Sequence, residues 1–395
     1  MTTSSLRIVG AWVLTLAALG AGERWFAYAA QGQAGERVQA PAFEVDPMWP
    51  KPLPNHWILG SAIGVWVDTQ DHIWIIHRGA STLDPNENAL GGRLSKNCCA
   101  AAPPVLEFDQ AGNLVQSWGG PGQGYEWPDS NHGIFVERNG TVWIAGNGAQ
   151  DGQVLKFTRD GKFIKQFGFG WANASSTDTW AFRQPAKIFV DEPNKEAYIA
   201  DGYGNHRVVV LDTETGAFKR FWGAYGNKPD DANTGRYRPD ASPAQQFRNP
   251  VHCADVSVDR LVYVCDRVND RLQVFRTDGT FVKEAFFEKE TLGSGSVWDI
   301  AFSKDPQQKY LFLADGMNQR IYVVERQSLQ VVTSFGDGGR QPGQFFGVHS
   351  IAIDSKGNLY TTETWEGKRL QKFAYKGMAQ VTRGYQGTVW PRASR

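Results

Sequence analysis

Three histidines, His132, His252 and His349, each stand eleven residues before a large aromatic residue, Trp143, Tyr263 and Tyr360. A single histidine in such a setting is ordinarily a hydrogen-bonded core residue, but these are three of only seven in the chain and share one position of a repeated pattern. Three neutral imidazoles that leave a fourth position open form the ligand set of a catalytic zinc, which polarises a bound oxygen and lowers its pKa. Other divalent metals accept the same ligands, so zinc is preferred rather than required. Three further residues stand where they could act on a metal-bound molecule: Arg78 in IIHRG, Tyr203 in ADGYGNHR and Arg267 in CDRVNDR. Each falls just past the second strand of its repeat, a loop position that serves turns as readily as chemistry. Asp201, Asp266 and Asp315 in the same segments read as turn-stabilising acids, and Arg207, Arg271 and Arg320 as structural arginines bridging adjacent repeats.

The repeat that must position these residues is clearest as PVHCADVSVDRLVYVCDRVNDRLQVFRTDGTFVKEAF from Pro250, and it recurs from Asn131 and Val348. Three further copies carry Ile63, Ala186 and Trp298 at the histidine position, with longer turns in the last two. Alternating apolar residues such as Ile134, Val136, Val142 and Ile144 flank a turn at Asn139-Gly140, and a second turn at Asp160-Gly161 or Asp278-Gly279 precedes an outer strand. Each copy therefore reads as four antiparallel strands. Repeats of about 40 to 50 residues built this way predict propeller blades, since one such sheet cannot bury both faces alone. The fold class is all-β, a six-bladed β-propeller. The histidines fall in copies two, four and six, which a ring of six places roughly 120° apart around its channel.

Composition agrees with that fold. With 395 residues, 13% aromatics, 43 glycines and 15 tryptophans, the chain reads as turn-rich all-β with a large core. Forty-one basic residues balance 41 acidic ones, which leaves no phosphate-seeking surface and makes nucleic acid an unexpected partner. Arg7, an apolar run over residues 8–22 and the small-x-small sequence Ala27-Tyr28-Ala29 predict a signal peptide over residues 1–29. Residues 30–42 follow as a linker, 43–378 as the propeller and 379–395 as a C-terminal tail. An uncleaved anchor is the alternative, though the run is short for a span; after cleavage no stable membrane insertion is expected, and the destination is secreted or periplasmic. A short strand within residues 42–50 is expected to close the ring as the outer strand of the last blade.

Four cysteines suit an oxidising compartment. Cys253 and Cys265 flank a hairpin turn symmetrically, so a disulfide between them is expected. Cys98-Cys99 can form a vicinal disulfide or remain thiols; no further ligand lies at a metal-site spacing. Long loops at residues 80–104, 169–184 and 224–249 lie where a propeller presents its binding face. Trp171, Trp180, Trp222 and Trp365 could line that face, though most are expected to pack blades.

The copies resemble NHL repeats, and the constellation resembles the peptidyl-α-hydroxyglycine α-amidating lyase family over roughly residues 43–373. The family's zinc histidines, in PH-S/D contexts, are matched by NHG at His132, VHC at His252 and VHS at His349. Its tyrosine in DGYCNSR is matched by Tyr203 in DGYGNHR, its arginine in ADRENGR by Arg267 in CDRVNDR, and its first-blade HRG arginine by Arg78. The resemblance implies cleavage of an N-acyl-α-hydroxyglycine, a small or peptide-derived carbinolamide, to a primary amide and glyoxylate. Tyr203 would be the general base, with cationic Arg78 or Arg267 favouring its phenolate and either able to bind the substrate carboxylate. Gly347 and Ser350 stand where the family has a methionine and a calcium-binding aspartate, so the resemblance does not bring calcium with it; Gly204 replaces a family cysteine. Two other readings stay open: a metal-dependent hydrolase such as a lactonase, and a noncatalytic NHL scaffold binding peptide or carbohydrate. Protein partners are not legible.

Overall fold

Each copy of the repeat folds as its alternation dictates. The computed structural model describes residues 36–391; the expected signal peptide lies outside them. Six four-stranded antiparallel sheets form the blades of a propeller. Their innermost strands are Ala62–Val67, Asn131–Val136, Ile188–Asp191, Val251–Val256, Asp299–Phe302 and Val348–Ile353 for blades one to six. Second strands such as Ile73–His77 and Val142–Gly146 are buried throughout, because both of their faces meet neighbouring blades. Outer strands such as Phe163–Gly168 keep one face partly in water.

The aromatic residue eleven positions past Ile63, His132 and His349 is wedged between blades with its polar end satisfied. Trp74 Nε1 donates to Asp68 at 3.0 Å, Trp143 Nε1 to Glu137 at 2.5 Å and Tyr360 Oη to Asp354 at 3.0 Å, all fully or almost fully buried. An indole or phenol at this position can then bury its ring without stranding its donor.

The last blade is closed by the N-terminal strand Arg37–Asp46, which pairs with Leu370–Thr382. That strand starts within the stretch read as linker and its partner runs into the stretch read as tail, so the closing pair is longer than the sequence suggests. Closure in this way pairs strands from near the two ends of the described residues within one blade and completes the ring. Cys253 and Cys265 face each other across the first two strands of blade four and are bonded, as are Cys98 and Cys99. Among the described residues no helix is long and apolar enough to cross a membrane.

The alternation of strand directions puts the heads of the innermost strands, the ends of the second strands and the blade-to-blade connections at one end of the channel. The loops over residues 80–104, 169–184 and 224–249 all belong to that end. The consensus pairs are local to their blades: Arg207 Nε lies 2.8 Å from Asp201 and Arg271 Nε 2.7 Å from Asp266, both fully buried. Arg207 also binds the carbonyls of Ser176 and Ala181 in the connection from the preceding blade. Arg320 departs from the pattern, stacking over Tyr385 at 4.3 Å, while Asp315 is taken up by the Asn318 amide and Tyr322.

Candidate metal centre

Each histidine sits at a break in the register of its innermost strand. The pairing shifts between Asn131 and Ile134, between Val251 and Cys253, and between Val348 and Ser350. Such bulges turn one side chain out of the alternation and re-aim it, and here they send all three imidazoles to the axis. The ring centroids lie 4.8 to 5.0 Å apart and the nearest ligand nitrogens all within 4.8 Å of one another. All three side chains are buried.

The neighbouring blade fixes the tautomer. His132 Nδ1 meets the carbonyl of Ala186 at 2.8 Å, His349 Nδ1 that of Ile63 at 2.9 Å, and His252 Nδ1 that of Trp298. Ala186, Ile63 and Trp298 are the residues at the histidine position of blades three, one and five. A carbonyl only accepts, so the ring proton must be on Nδ1, which turns every Nε2 lone pair toward the axis. Gly133 lets this happen: a Cβ there would lie 2.5 Å from the Ala186 carbonyl oxygen.

Tyr203 reaches the same point from blade three. Its hydroxyl is 3.0 Å from His132 Nε2 and 3.1 Å from His252 Nε2, and it accepts from Arg267 Nη1 at 3.0 Å. The loop that carries it is pinned by Asn249, whose amide donates to the carbonyls of Gly202, Tyr203 and Asn205 at 2.9 to 3.1 Å. Gly202 is required there, since a Cβ would fall 2.1 Å from the Val251 carbonyl oxygen. The Arg267 guanidinium lies over Trp298, 4.4 Å from the ring centre, and its buried Nε has no acceptor among the described residues. Arg78 donates to Asn147 Oδ1 at 2.9 Å and to the carbonyl of Asn131, the residue before His132, at 3.3 Å.

All six candidate residues therefore meet at one end of the channel. Burial holds the three imidazoles well below the usual histidine range, and the charge of Arg267 adds to it at all three, with that of Arg78 acting on His132 and His349. Neutral, buried imidazoles are what a metal requires. One phenolic proton cannot serve two Nε2 acceptors, and His349 Nε2 makes no hydrogen bond among the described residues. At least two converging lone pairs are left without a donor, and a divalent cation fits that arrangement. A second acid–histidine cluster, Asp68, His72 and Glu107, does not: Arg159 already fills it, 3.0 Å from Asp68. Calcium does not fit the channel either. Ser350 offers no carboxylate, and the nearby Asp255 and Asp299 both hold the Lys187 ammonium, at 2.8 and 2.6 Å.

Asn249, Asn147 and the Lys187 group were not legible in the sequence. The doubled asparagine and proline signals of the 224–249 connection mark a loop but not its target, and a buried lysine has no local signature. Of the four tryptophans, Trp222 packs between blades, Trp365 stands edge-on to Trp298 at 5.4 Å beside the site, and Trp171 and Trp180 are exposed on the 169–184 loop.

No family model matches the chain. NHL repeat-containing protein 3 of Mus musculus is 27% identical over 359 residues, covering 85% of each chain. Peptidyl-glycine alpha-amidating monooxygenase A of Xenopus laevis is 26% identical over 231 residues, 57% of this chain and 22% of that protein. The monooxygenase of Rattus norvegicus is 25% identical over 237 residues, again spanning 22% of its length. Among solved structures, virginiamycin B lyase from Staphylococcus aureus superposes with a TM-score of 0.48 at 15% identity, covering 87% of this chain and 88% of that one. The chain is thus a six-bladed β-propeller with NHL repeat-containing protein 3 and the peptidylglycine alpha-amidating monooxygenases among its relatives.

Proposed function

We propose that this protein is a secreted or periplasmic lyase, dependent on a divalent metal, preferably zinc, that cleaves N-acyl-α-hydroxyglycines and similar carbinolamides to a primary amide and glyoxylate. His132, His252 and His349 would hold the metal. When bound, it would supply Lewis acidity toward the substrate hydroxyl. The observation that carries the reading is Tyr203 Oη, held at 3.0 and 3.1 Å from two of the histidine Nε2 atoms while accepting from Arg267.

Tyr203 takes the hydroxyl proton. Arg267, donating into the same oxygen, stabilises the phenolate charge that Tyr203 carries before it accepts this proton. The C–N bond breaks with its electron pair going to the amide nitrogen, the hydroxyl carbon becomes the aldehyde of glyoxylate, and the nitrogen recovers a proton from Tyr203. Water is neither consumed nor released. The unpaired Nε of Arg267 is a buried donor that a substrate carboxylate would satisfy, with Arg78 contributing charge from the neighbouring blade. Trp298 holds the Arg267 guanidinium in place, and the exposed Trp365 beside it would give the acyl group an apolar wall.

The relatives named for amidation support this reading, as do the paired cysteines for an oxidising compartment. A hydrolase in the same channel would need a free carboxylate or histidine base, and Asp255 and Asp299 are both engaged by Lys187. The test is glyoxylate release from an N-acyl-α-hydroxyglycine. Release that stops on chelation and resumes with zinc is expected; a metal-loaded protein that releases none contradicts the lyase and leaves a metal-bearing scaffold.

A further inference from the structure

Below the histidines the channel holds a charged group that the proposed chemistry does not use. Lys187 is buried, and its ammonium is shared between Asp255 at 2.8 Å and Asp299 at 2.6 Å. The three residues come from three different blades. Isolated charges at this depth are costly, and an ion pair there is retained where it fixes one arrangement of the elements that supply it.

The arrangement it fixes is that of the histidines. Lys187 follows Ala186, whose carbonyl orients His132. Asp255 lies three residues beyond His252 in the same strand. Asp299 follows Trp298, whose carbonyl orients His252, and its other oxygen accepts from the backbone of Ile351 at 3.1 Å, two residues beyond His349. One ammonium and two carboxylates thus tie together the backbone behind all three imidazoles. A small cavity is lined by His132, His252, Lys187, Asp299 and Ser350 together, so the two groups are neighbours along the axis. The carboxylates outnumber the ammonium, which spares a metal dication above them a net positive neighbour.

We infer that Lys187 is a positioning residue that acts as the channel's built-in cation: with Asp255 and Asp299 it clamps blades three to six so that the histidines converge, the task a structural divalent ion would otherwise perform. This rests on the reading of the three histidines as metal ligands. It makes zinc binding by the wild type independent of calcium, and makes a cation between Asp255 and Asp299 a requirement for tight binding.

The test is zinc affinity, measured by competition with a chromophoric chelator. For Lys187→Ala a loss of roughly ten- to a hundred-fold is expected, the range seen when groups supporting a metal ligand are removed. Millimolar calcium or methylammonium, entering between the two carboxylates, should restore most of it, while calcium leaves the wild type unchanged. Wild-type affinity in Lys187→Ala, or a loss that neither cation repairs, would overturn the clamp. Should Lys187→Ala not fold, Asp255→Asn keeps the Lys187–Asp299 pair and is expected to lose zinc affinity about ten-fold; unchanged affinity there overturns the clamp as well. A wild type that binds no zinc sinks the metal reading itself, whereas zinc on the wild type with equal affinity in the variants sinks only the clamp.

Discussion

Blades two, four and six and blades one, three and five share four strands and an inter-blade aromatic, yet they contribute opposite things at the same repeat position. The even blades supply a side chain, His132, His252 or His349, and the odd blades a backbone carbonyl, from Ala186, Trp298 or Ile63. The carbonyl is present whatever residue stands there, which is why the odd positions tolerate an alanine, a tryptophan and an isoleucine. A six-fold scaffold is used in a three-fold way, each imidazole aimed by the blade after it.

The largest expected effect breaks the even half. His252→Ala removes a proposed ligand and should abolish metal-dependent turnover while the propeller stays folded, at a cost of about 1–3 kcal/mol for the unpaired Trp298 carbonyl. Turnover at the wild-type rate would remove His252 from the site. Tyr203→Phe keeps all three histidines and should retain metal while kcat falls by roughly 10²–10⁴, the usual contribution of a positioned base; an unchanged kcat eliminates Tyr203.

Gly133→Ala attacks the contact between an even blade and an odd one. Its Cβ would meet the Ala186 carbonyl at 2.5 Å and push away the group that orients His132. Metal affinity should drop by about ten-fold or more, and a wild-type titration curve would show that the carbonyl has no such role. Trp298→Leu sharpens the odd half, because the carbonyl survives and only the ring under Arg267 is lost. Metal should be retained and KM should rise by about three- to thirty-fold, the worth of a desolvated cation–π contact; loss of metal would contradict the division of labour.

A further expected effect concerns stability rather than the centre. His77 is buried and its pKa is lowered to about 4, by burial, with its bond to the Pro103 carbonyl opposing. A depressed histidine binds its proton more weakly in the folded state. Its contribution is therefore complete above the unfolded value of about 6.5 and is lost as pH falls toward 4, on the order of 3 kcal/mol in all. Denaturant unfolding at pH 7 and pH 4 should show this loss, and His77→Gln should show less of it. An equal loss in both proteins would count against His77 as its source.

Much of this was readable in the chain because it repeats. The spacing from each histidine to Trp143, Tyr263 and Tyr360 identified one strand position, and a ring of six turned that into convergence. Contacts that cross blades without repeating were not readable. Lys187 meets Asp255 and Asp299 over separations of 68 and 112 residues, and Asn249 holds the Tyr203 loop from the end of a connection with no periodicity. Arg320 looked equivalent to Arg207 and Arg271, but its partner is Tyr385 from the C-terminal segment, which no repeat reveals.

The central claim, that three alternate blades hold one metal, is tested most directly by elemental analysis of the wild type beside His132→Ala, His252→Ala and His349→Ala. One equivalent of a divalent metal in the wild type and a small fraction of that in each variant is the expected result; a metal-free wild type, or any variant with wild-type stoichiometry, would contradict it.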